Sequence, residues 1–354
     1  MRIKHIVVVL AILLFAGFAY FEYMNQDRVS EWFPERVVLP DVVEEIEEEP
    51  QKEDVPEEMS WEDPLIGLSV DEVIADFGEP DRRDLSSFGY EWLIYEKDDE
   101  RYVQIGIQSD EVVTAFLIGT VLGDLPYELP QDYTEMDELY EFSAQVSVSY
   151  EGGQYQYQLT EDDLRMRPLF EYEEGVWIQA YFDQFTEELS SVRILNNEVL
   201  VMQRPYSVQY RGELPEPPQL SAQEIEEVAK GQEQQIFSVT NVMRVRHGLD
   251  TFEWDEEISE VAYKHSEDMQ NHQFFSHVSP NTGDLSNRIE AGGIRLRLAG
   301  ENIAAHYVDG LAAVEGWLNS EGHRVNLLHE EFTHLGVGVY EDYYTQNFMT
   351  PWLP

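Results

Sequence analysis

The blocks FFSHVSP, AGENIA and GWLNSEGHRVNLL, which begin at residues 274, 299 and 316, place polar residues among glycines, aromatic residues and aliphatic residues. The polar residues of interest are His277, Glu301 and His323, one from each block. Side chains from three separate segments come together only where several elements pack on one domain. The pattern therefore predicts a polar cleft on a C-terminal domain.

The composition of the 354-residue chain restricts the class of protein. A hydrophobic fraction of 43% supplies enough apolar side chains for two packed domains. The chain has 71 acidic and 22 basic residues, a net charge of −49, whereas phosphate binding needs clustered lysine and arginine. This balance excludes nucleic acid as a partner and disfavours anionic lipid headgroups. Cysteine is absent, so reactive chemistry falls to histidine, serine and carboxylates.

The first 24 residues predict export. Arg2 and Lys4 precede an uncharged apolar run at 6–21, and a positive flank keeps that end of a hydrophobic segment in the cytoplasm. A transmembrane anchor needs about 20 residues, and Gly-Phe-Ala at 17–19 offers a small-residue cleavage site for a signal peptide. We expect residues 1–24 to be an anchor or a signal peptide. The protein is then a single-pass protein of the cell membrane with its bulk extracellular, or a secreted one.

Residues 25–63 are predicted to be an acidic linker. Between Asp41 and Asp63 the chain carries twelve acidic residues against Lys52 alone. Like charges repel one another and cannot bury a core, so this composition is typical of an extended spacer. A cation-binding tail is the alternative interpretation.

Residues 64–207 predict a separate, strand-rich α+β domain. Ser69 is placed to cap a short amphipathic helix, and three alternating runs then predict an antiparallel meander: YEWLIYE, RYVQIGIQ and EVVTAFLIG. Five further runs predict strands: SAQVSVSYE, YQYQLT, VWIQAYFD, LSSVRIL and EVLVMQR. The segment EDDLRMRPLFEY has helical character. The aromatic spacing favours core packing over a stacking platform for a sugar or peptide, at Tyr90, Trp92, Tyr95 and Tyr102.

A proline-rich linker at 208–222 leads to the C-terminal domain at 223–354. Ser221 and Glu224 form a capping box, which predicts the start of a long helix that Gly248 can end. Asp255 is placed to cap a second helix with one apolar face. The C-terminal domain is therefore expected to open with two helices.

Eight of the nine histidines lie after residue 246, so a histidine site belongs to this domain. His265 falls on the apolar face of the second helix, which favours a core histidine bonded to the backbone over a ligand or base. His277 lies in a turn, Glu301 begins a helix-like segment, and His323 follows after that segment ends. Two imidazoles and a carboxylate suit a divalent ion such as Zn²⁺. Spacing by itself leaves ordinary structural roles open.

Seven ordered blocks resemble the bacterial branch of the CAP superfamily, also called SCP-like domains. They run from about Gln232 to the end: NVMRVRHGLDTFEWDEEISEVAYKHSEDM, FFSHVSP, RIEAGG, AGENIA, WLNSEGHRVNLL, FTHLGVGVY and YTQNF. The segments IGLSVDEVIADFGEPDRRD, YEWLIYE and YVQIGIQ resemble the CAP-associated domain found ahead of such modules in exported proteins of Bacillus-like bacteria. The resemblance implies an α+β protein. Its C-terminal α-β-α sandwich follows the strand-rich domain and an N-terminal apolar helix.

The resemblance also implies a cleft in which two histidines and two acids hold a divalent cation. His277 and His323 match the histidines, and Glu301 matches the first acid. The position of the second acid is Ser320, and Glu321 beside it would point about 100° away along a helix. The predicted cleft is therefore His277, Glu301, Ser320 and His323. Zn²⁺ or another divalent cation is expected on His277, Glu301 and His323.

Other residues of these blocks have structural interpretations. Gly336 and Gly338 in LGVGVY are predicted to allow close packing of a strand. Arg324 and Asn326 are predicted to fix the loop after His323.

Three functions stay open. The one we favour is an extracytoplasmic module, tethered to the membrane by the N-terminal helix, that binds a lipid, cell-wall fragment or peptide. The alternatives are a metal-assisted hydrolase or protease acting on envelope peptides or glycans, and a structural component of the envelope or spore surface. The missing second acid disfavours two-acid hydrolysis. Ser320 and His323 lack an obvious orienting Asp, so no catalytic residue is assigned.

Overall fold

The computed structural model describes residues 65–123 and 127–352. The predicted anchor or signal peptide at 1–24 and the predicted linker at 25–63 lie outside the described residues. Within the two described ranges, no helix combines the length and the apolar composition that crossing a membrane requires. All described residues belong to one compact unit, Glu57–Pro354.

The N-terminal part of this unit alternates short helices with strands. Its elements are α1 Val70–Phe77, β1 Arg82–Leu85, β2 Glu91–Asp98, β3 Arg101–Gln108, β4 Glu111–Gly119, a 3₁₀ turn Thr120–Gly123, α2 Tyr133–Tyr140, β5 Gln145–Tyr150, β6 Gly153–Gln158, α3 Glu161–Met166, β7 Leu169–Glu173, β8 Val176–Asp183, β9 Glu188–Asn196, α4 Asn197–Gln203 and β10 Ser207–Arg211. The predicted cap of α1 is confirmed, because Ser69 and Glu72 form a capping box.

Two antiparallel sheets organise the N-terminal part. The larger has the order β1-β2-β3-β4-β9-β8-β7, and the smaller has the order β10-β6-β5. The predicted meander is confirmed, since its three runs form β2, β3 and β4 in antiparallel register. The aromatic side chains are buried, as core packing predicts: Tyr90, Trp92, Tyr95 and Tyr102.

One strand prediction in this part is wrong. The run EVLVMQR forms helix α4, whose start is capped by the side chain of Asn196 accepting from the amide of Val199. The helix is buried on every side from Val199 to Gln203. A short continuous apolar run occurs both in buried helices and in buried strands, so periodicity alone cannot distinguish them, which explains the error. EDDLRMRPLFEY divides, its first half forming α3 and its end forming β7.

The C-terminal part holds five helices and four strands within residues 222–352. Its elements are α5 Ala222–Arg246, β11 Glu253–Trp254, α6 Glu256–His272, α7 Leu285–Ala291, β12 Leu296–Ala305, α8 Gly310–Leu318, α9 Glu321–Leu327, β13 His334–Tyr340 and β14 Tyr343–Pro351. The predicted capping box of α5 and the predicted cap of α6 by Asp255 are both confirmed. Gly248 follows the end of α5 with a φ of 71°, a conformation that closes helices.

The four strands form one sheet in the order β11-β13-β14-β12, with helices on both faces. Successive residues of a strand point to opposite faces. Gly336 and Gly338 of β13 lie against α6, whereas Val337 and Val339 share an apolar cluster with Ile236 on α5. The sheet is therefore the middle layer between α5 and α6, which is the predicted α-β-α arrangement.

Two local predictions near the expected cleft are wrong. Glu301 lies in β12, opposite Asn347 of β14, and does not begin a helix. The helix expected there starts only at Gly310, where Asp309 caps it. His323 lies inside α9, because Ser320 begins a second helix after α8 ends. The first error again reflects a short apolar run, and the second reflects a break between two consecutive helices.

The two parts share polar contacts and a continuous core. Arg193 of β9 and Asp309 form a buried ion pair in which two guanidinium nitrogens each lie 2.7 Å from a carboxylate oxygen. The side chain of Gln235 on α5 donates to Asp84 of β1 at 2.9 Å. One apolar cluster also contains side chains of both parts, including Phe116, Trp177, Val239 and Trp317. The N-terminal part is thus in a position to support elements of the C-terminal part.

Candidate functional site

The predicted cleft is built around the buried carboxylate of Glu301. Its Oε1 accepts a hydrogen bond from His277 Nδ1 at 2.9 Å, and its Oε2 accepts one from the guanidinium of Arg288. Glu301 is only 7% exposed, whereas the side chain of His277 is 51% exposed. The strand therefore delivers a buried acid that orients an accessible imidazole.

Interactions behind the site hold the loop that carries His277. Arg288 of α7 donates to the carbonyl of His277 at 3.1 Å as well as to Glu301. His265 is fully buried, and its Nε2 lies 3.1 Å from the carbonyl of Ser276. This geometry confirms the prediction of a core histidine bonded to the backbone, and burial lowers the pKa of His265. Asp268 accepts from Asn281 at 2.7 Å and also from Ser279, which fixes the loop farther on.

His323 approaches His277 from helix α9. The centroids of the two imidazole rings are 6.2 Å apart, and His323 Nδ1 lies 2.8 Å from the hydroxyl of Ser320. Burial lowers the pKa of His323, and the neighbouring His277 lowers it further. Both rings use Nδ1 for these hydrogen bonds, which leaves Nε2 of each ring to a ligand. The structure thus brings together all four predicted cleft residues.

Helix α9 is attached to both parts of the unit. Asn326 donates to the carbonyl of Glu301 at 3.1 Å and to the side chain of Asn302 at 3.0 Å, which joins α9 to β12. Arg324 forms an ion pair with Asp183 at the end of β8, at 2.8 Å. The prediction that Arg324 and Asn326 fix this segment is therefore confirmed. The partner of Arg324 comes from the N-terminal part.

Asn319 adds a second attachment just before Ser320. Its side-chain oxygen accepts from the amide of Gln184 at 2.8 Å, and its side-chain nitrogen donates to the carbonyl of Phe182 at 2.9 Å. The side chain of Gln184 donates in return to the carbonyl of Asn319. The segment that carries Ser320 and His323 is consequently held at both ends by the last two residues of β8 and by Gln184, which follows them.

The arrangement does not form a ready set of metal ligands. No group of three or more His, Asp or Glu side chains placed to hold a metal ion occurs in the part of the chain that the structure describes. Both oxygens of Glu301 already accept hydrogen bonds, and one donor is the positive guanidinium of Arg288. A cation on Glu301 would have to share that carboxylate with Arg288, which raises the electrostatic cost of binding. The residues, as arranged, suit a hydrogen-bonding cleft better than a metal centre.

Sequence reasoning missed several residues that shape the cleft. Arg288 stands in the RIEAGG block, but nothing in its spacing shows that it faces Glu301. Asp183 lies in the other predicted domain, 141 residues away in sequence from Arg324. Three apolar side chains flank the histidines in sequence and are more than half exposed: Phe275, Val278 and Val325.

Comparison with known families assigns both parts of the chain. Residues 66–206 match the family described as CAP-associated N-terminal, and residues 237–350 match the Cysteine-rich secretory protein family, CAP. These spans agree with the resemblance that the motifs predict from about Gln232 onward. The order of the two matches along the chain is also the predicted one.

Individual relatives show the same architecture. A Bacillus subtilis protein called "Uncharacterized membrane protein YlbC" is 43% identical over 288 residues, which are 81% of this chain and 83% of the relative. A crystal structure of an extracellular protein containing a SCP domain from Bacillus anthracis is 40% identical and superposes with a TM-score of 0.78, over 85% of this chain and 99% of that one. A Staphylococcus aureus cysteine-rich secretory protein shares the fold at 22% identity, with a TM-score of 0.71, over 80% of this chain and 93% of that one. The chain therefore belongs to the CAP family, as a member that carries a CAP-associated domain ahead of its CAP domain.

Proposed function

We propose that this protein is an extracytoplasmic binding module, tethered to the membrane, whose cleft of His277, Glu301, Ser320 and His323 holds a ligand without chemical turnover. The observation that carries the proposal is the occupied carboxylate of Glu301, which accepts from both His277 and Arg288. The two oxygens of Glu301 are directed at two protein donors, which disfavours Glu301 itself as a metal ligand or general base. Its role here is to hold an imidazole in one orientation.

The cleft favours a ligand with a polar donor beside an apolar portion. When His277 donates its Nδ1 proton to Glu301, Nε2 of the neutral ring accepts a hydrogen bond. A hydroxyl or amide of the ligand supplies the donor. Phe275, Val278 and Val325 are exposed near the two histidines in sequence and offer apolar contact. These properties suit a lipid, a peptide or a cell-wall fragment.

The membrane tether rests on the N-terminal sequence and on the relatives. Residues 6–21 are apolar and follow two basic residues, a pattern typical of a segment that leads the chain out of the cytoplasm. The Bacillus subtilis relative is named as a membrane protein and the Bacillus anthracis relative as an extracellular one. The first name supports attachment to a membrane, and the second supports a module that works outside the cell.

The proposal is tested by calorimetric titration of the full-length protein with a long-chain fatty acid, an apolar tripeptide, N-acetylglucosamine oligomers and ZnCl₂. The comparison protein is the double variant His277→Ala, His323→Ala. The matched control is His334→Ala, which removes a histidine at the start of β13 that pairs with Glu253 and is not one of the four cleft residues. We expect one organic probe to bind the wild type and the control alike, and the cleft variant at least about tenfold more weakly.

Two results would contradict this proposal. If every organic probe binds the wild type and the cleft variant equally, the cleft is not the binding site. If ZnCl₂ binds the wild type at one saturable site that the cleft variant lacks, the expected divalent cation on His277, Glu301 and His323 is present. The metal-assisted hydrolase then becomes the better hypothesis, since a bound metal lowers the pKa of its water.

A further inference from the structure

A second cavity, of about 490 Å³, lies between the CAP-associated part and the CAP part. We call it the interdomain cavity and define it by its wall residues Phe88, Gln203 and Arg204 on one side and Tyr307, Glu315 and Gly316 on the other. Its volume lies within the range of small-molecule sites, about 300–1,000 Å³, and such sites often form at domain interfaces. None of the four cleft residues lines it.

Two buried acceptors at this cavity have no partner among the described residues. Glu315 is 2% exposed, and its Oε1 accepts from the hydroxyls of Ser190 and Ser191, but its Oε2 accepts from nothing. Gln203 is 7% exposed, and its nitrogen donates to the hydroxyl of Tyr90, but its Oε1 is likewise unpartnered. Buried polar atoms are almost always hydrogen-bonded, because leaving one unpaired is unfavourable. Both residues line the cavity, and a rotation of each side chain would bring these nearly inaccessible atoms to a donor on a molecule that enters it.

The remaining wall supplies an aromatic face and loosely held charge. Tyr307 is 36% exposed, and its hydroxyl end lies over Gly316, where a Cβ would come within 2.3 Å of it. Arg204 has one weak ion pair, 3.4 Å to the exposed Glu216. An aromatic face beside convergent polar groups is a common composition for a ligand site.

We propose that the interdomain cavity binds a saccharide ring. Ring hydroxyls donate to Glu315 Oε2 and Gln203 Oε1, the apolar face of the ring packs against Tyr307, and Arg204 donates to a ring oxygen. An apolar ligand would leave both acceptors unpaired, and the wall carries charges of both signs, with Asp163 beside Arg167 and Arg204, so it does not favour a singly charged ligand. A carboxylate placed at the inner end would face Glu315. A neutral polyhydroxyl ring satisfies all of these groups together.

The chemistry of a hydroxyl also suits the titration of Glu315. Burial raises the pKa of Glu315 to about 7, so both protonation states occur near neutral pH. A hydroxyl both donates and accepts, and it can therefore pair with either state of the carboxyl group.

The test uses the full-length protein, purified without glycosidic detergents, with methyl glucoside and N-acetylglucosamine as probes and leucine as the non-sugar control. Saturation-transfer NMR and calorimetric titration report binding. The variants are Tyr307→Ala, which removes a partly exposed ring, and Glu315→Gln, which replaces an acceptor with a donor at the same size. The matched control is Tyr210→Ala, because Tyr210 is exposed and lies outside the cavity.

We expect at least one sugar to bind saturably with a dissociation constant of about 1 mM or tighter. Both cavity variants should weaken it at least about tenfold, and Tyr210→Ala and the His277→Ala, His323→Ala double variant should leave it unchanged. If Glu315→Gln fails to fold, the comparison of sugar binding by the wild type and by Tyr307→Ala decides the test. No sugar binding to the wild type, or binding that Tyr307→Ala retains in full, would overturn the proposal and assign the two acceptors to ordered water.

Discussion

At the scale of single residues, the cleft depends on how the Glu301 carboxylate is divided between two donors. Arg288 neutralises one oxygen, and His277 donates to the other. A charge-assisted hydrogen bond of this kind is stronger than a neutral one and fixes geometry as well as energy. His277 is therefore oriented before any ligand arrives, while His323 reaches the site from an independent helix.

The first prediction concerns the coupling between the two imidazoles. The pKa of His323 is lowered by burial and, to a smaller extent, by the charge that His277 acquires on protonation. His277→Gln removes the second cause and leaves the first, so the pKa of His323 should rise but stay below its ordinary value. An NMR pH titration of the His323 ring measures this change. His272→Gln is the control, and equal titration curves in wild type and His277→Gln would refute the coupling.

The second prediction concerns Glu315 and the pH dependence of stability. Its pKa is about 7 in the folded protein against an ordinary value of 4.5, because burial disfavours the charged form. The folded state therefore holds the proton more tightly, and the stability this contributes is complete below pH 4.5 and lost as pH rises through about 7. Glu315→Gln should abolish the contribution of this residue, a fall of up to about 3 kcal/mol in the free energy of unfolding over that pH window.

Urea unfolding at several pH values between 4 and 8 measures this fall in the free energy of unfolding. Glu233 is half-buried and its pKa is also raised to about 7, by desolvation, so a parallel decline remains in the variant. The exposed substitution Glu321→Gln is the control and should keep the full decline. A Glu315→Gln curve parallel to that of the wild type would show that this carboxyl group is not the source.

At the scale of elements, the sheet of the CAP part owes its position to two glycines in β13. A Cβ on Gly338 would lie 1.9 Å from the backbone nitrogen of Tyr263, and one on Gly336 would lie 2.2 Å from that of Ser259. The backbone of α6 thus rests directly on the backbone of β13. This contact confirms the sequence prediction that both glycines allow close packing.

The third prediction follows from that contact. Gly338→Ala should prevent native folding or lower stability by more than the roughly 1–3 kcal/mol typical of overpacking, because the clash is with backbone that cannot rotate away. Gly322→Ala in α9 is the matched control, since nothing lies within 4 Å of its added Cβ. Thermal unfolding followed by circular dichroism compares the two. Equal melting temperatures would contradict the proposed backbone contact.

The fourth prediction concerns the attachment of α9 to β8. Asp183 is buried and accepts from Arg324, and this bond and the one from His247 keep its pKa low although burial alone would raise it. Asp183→Asn removes the charge at constant size. The free energy needed to open α9 locally should therefore fall by about 1–3 kcal/mol. Hydrogen exchange of the amides in α9 should accelerate accordingly, with weaker ligand binding at His323.

The control for that experiment is Asp162→Asn. Asp162 pairs with Arg165 on the surface, where both side chains are more than half exposed, and such pairs contribute about 0–1 kcal/mol. Its effect on exchange in α9 should be negligible. If the α9 amides exchange at the same rate in Asp183→Asn and Asp162→Asn, the CAP-associated part does not position His323.

At the scale of the whole molecule, the CAP-associated and CAP parts behave as one packed body. The buried pair of Arg193 and Asp309 joins them, and an apolar cluster continues from one to the other. Breaking a buried ion pair by removing one charge costs about 3–5 kcal/mol, because the remaining charge is uncompensated. The two parts should therefore unfold together while this pair is intact.

The fifth prediction tests that cooperativity. Asp309→Asn keeps a side chain that can cap α8 but leaves Arg193 unpaired, so it should destabilise the protein by about 3–5 kcal/mol. The double variant Arg193→Met, Asp309→Asn should recover part of that loss. Urea unfolding monitored by fluorescence and circular dichroism should show one transition in the wild type. Two separate transitions in the wild type would mean that the two parts are independent.

Much of this protein could be predicted from its sequence because the signals are local. The capping boxes at Ser69 and Ser221 and the alternation in β2, β3 and β4 depend on neighbours within a few residues. The ordered motifs around His277, Glu301 and His323 predicted both the family and the members of the cleft. The errors fell where local signals are ambiguous, at α4 and at the strand that carries Glu301.

The sequence by itself thus determined the family, most of the elements and the identity of the cleft residues. Only the tertiary structure decided which charged side chains form ion pairs: Arg288 with Glu301, Arg324 with Asp183, and Arg193 with Asp309. The physical reason is distance along the chain. A cap or an alternating strand is defined by bonds within one turn or one hairpin, whereas a buried charge acquires its partner only when packing brings remote segments together.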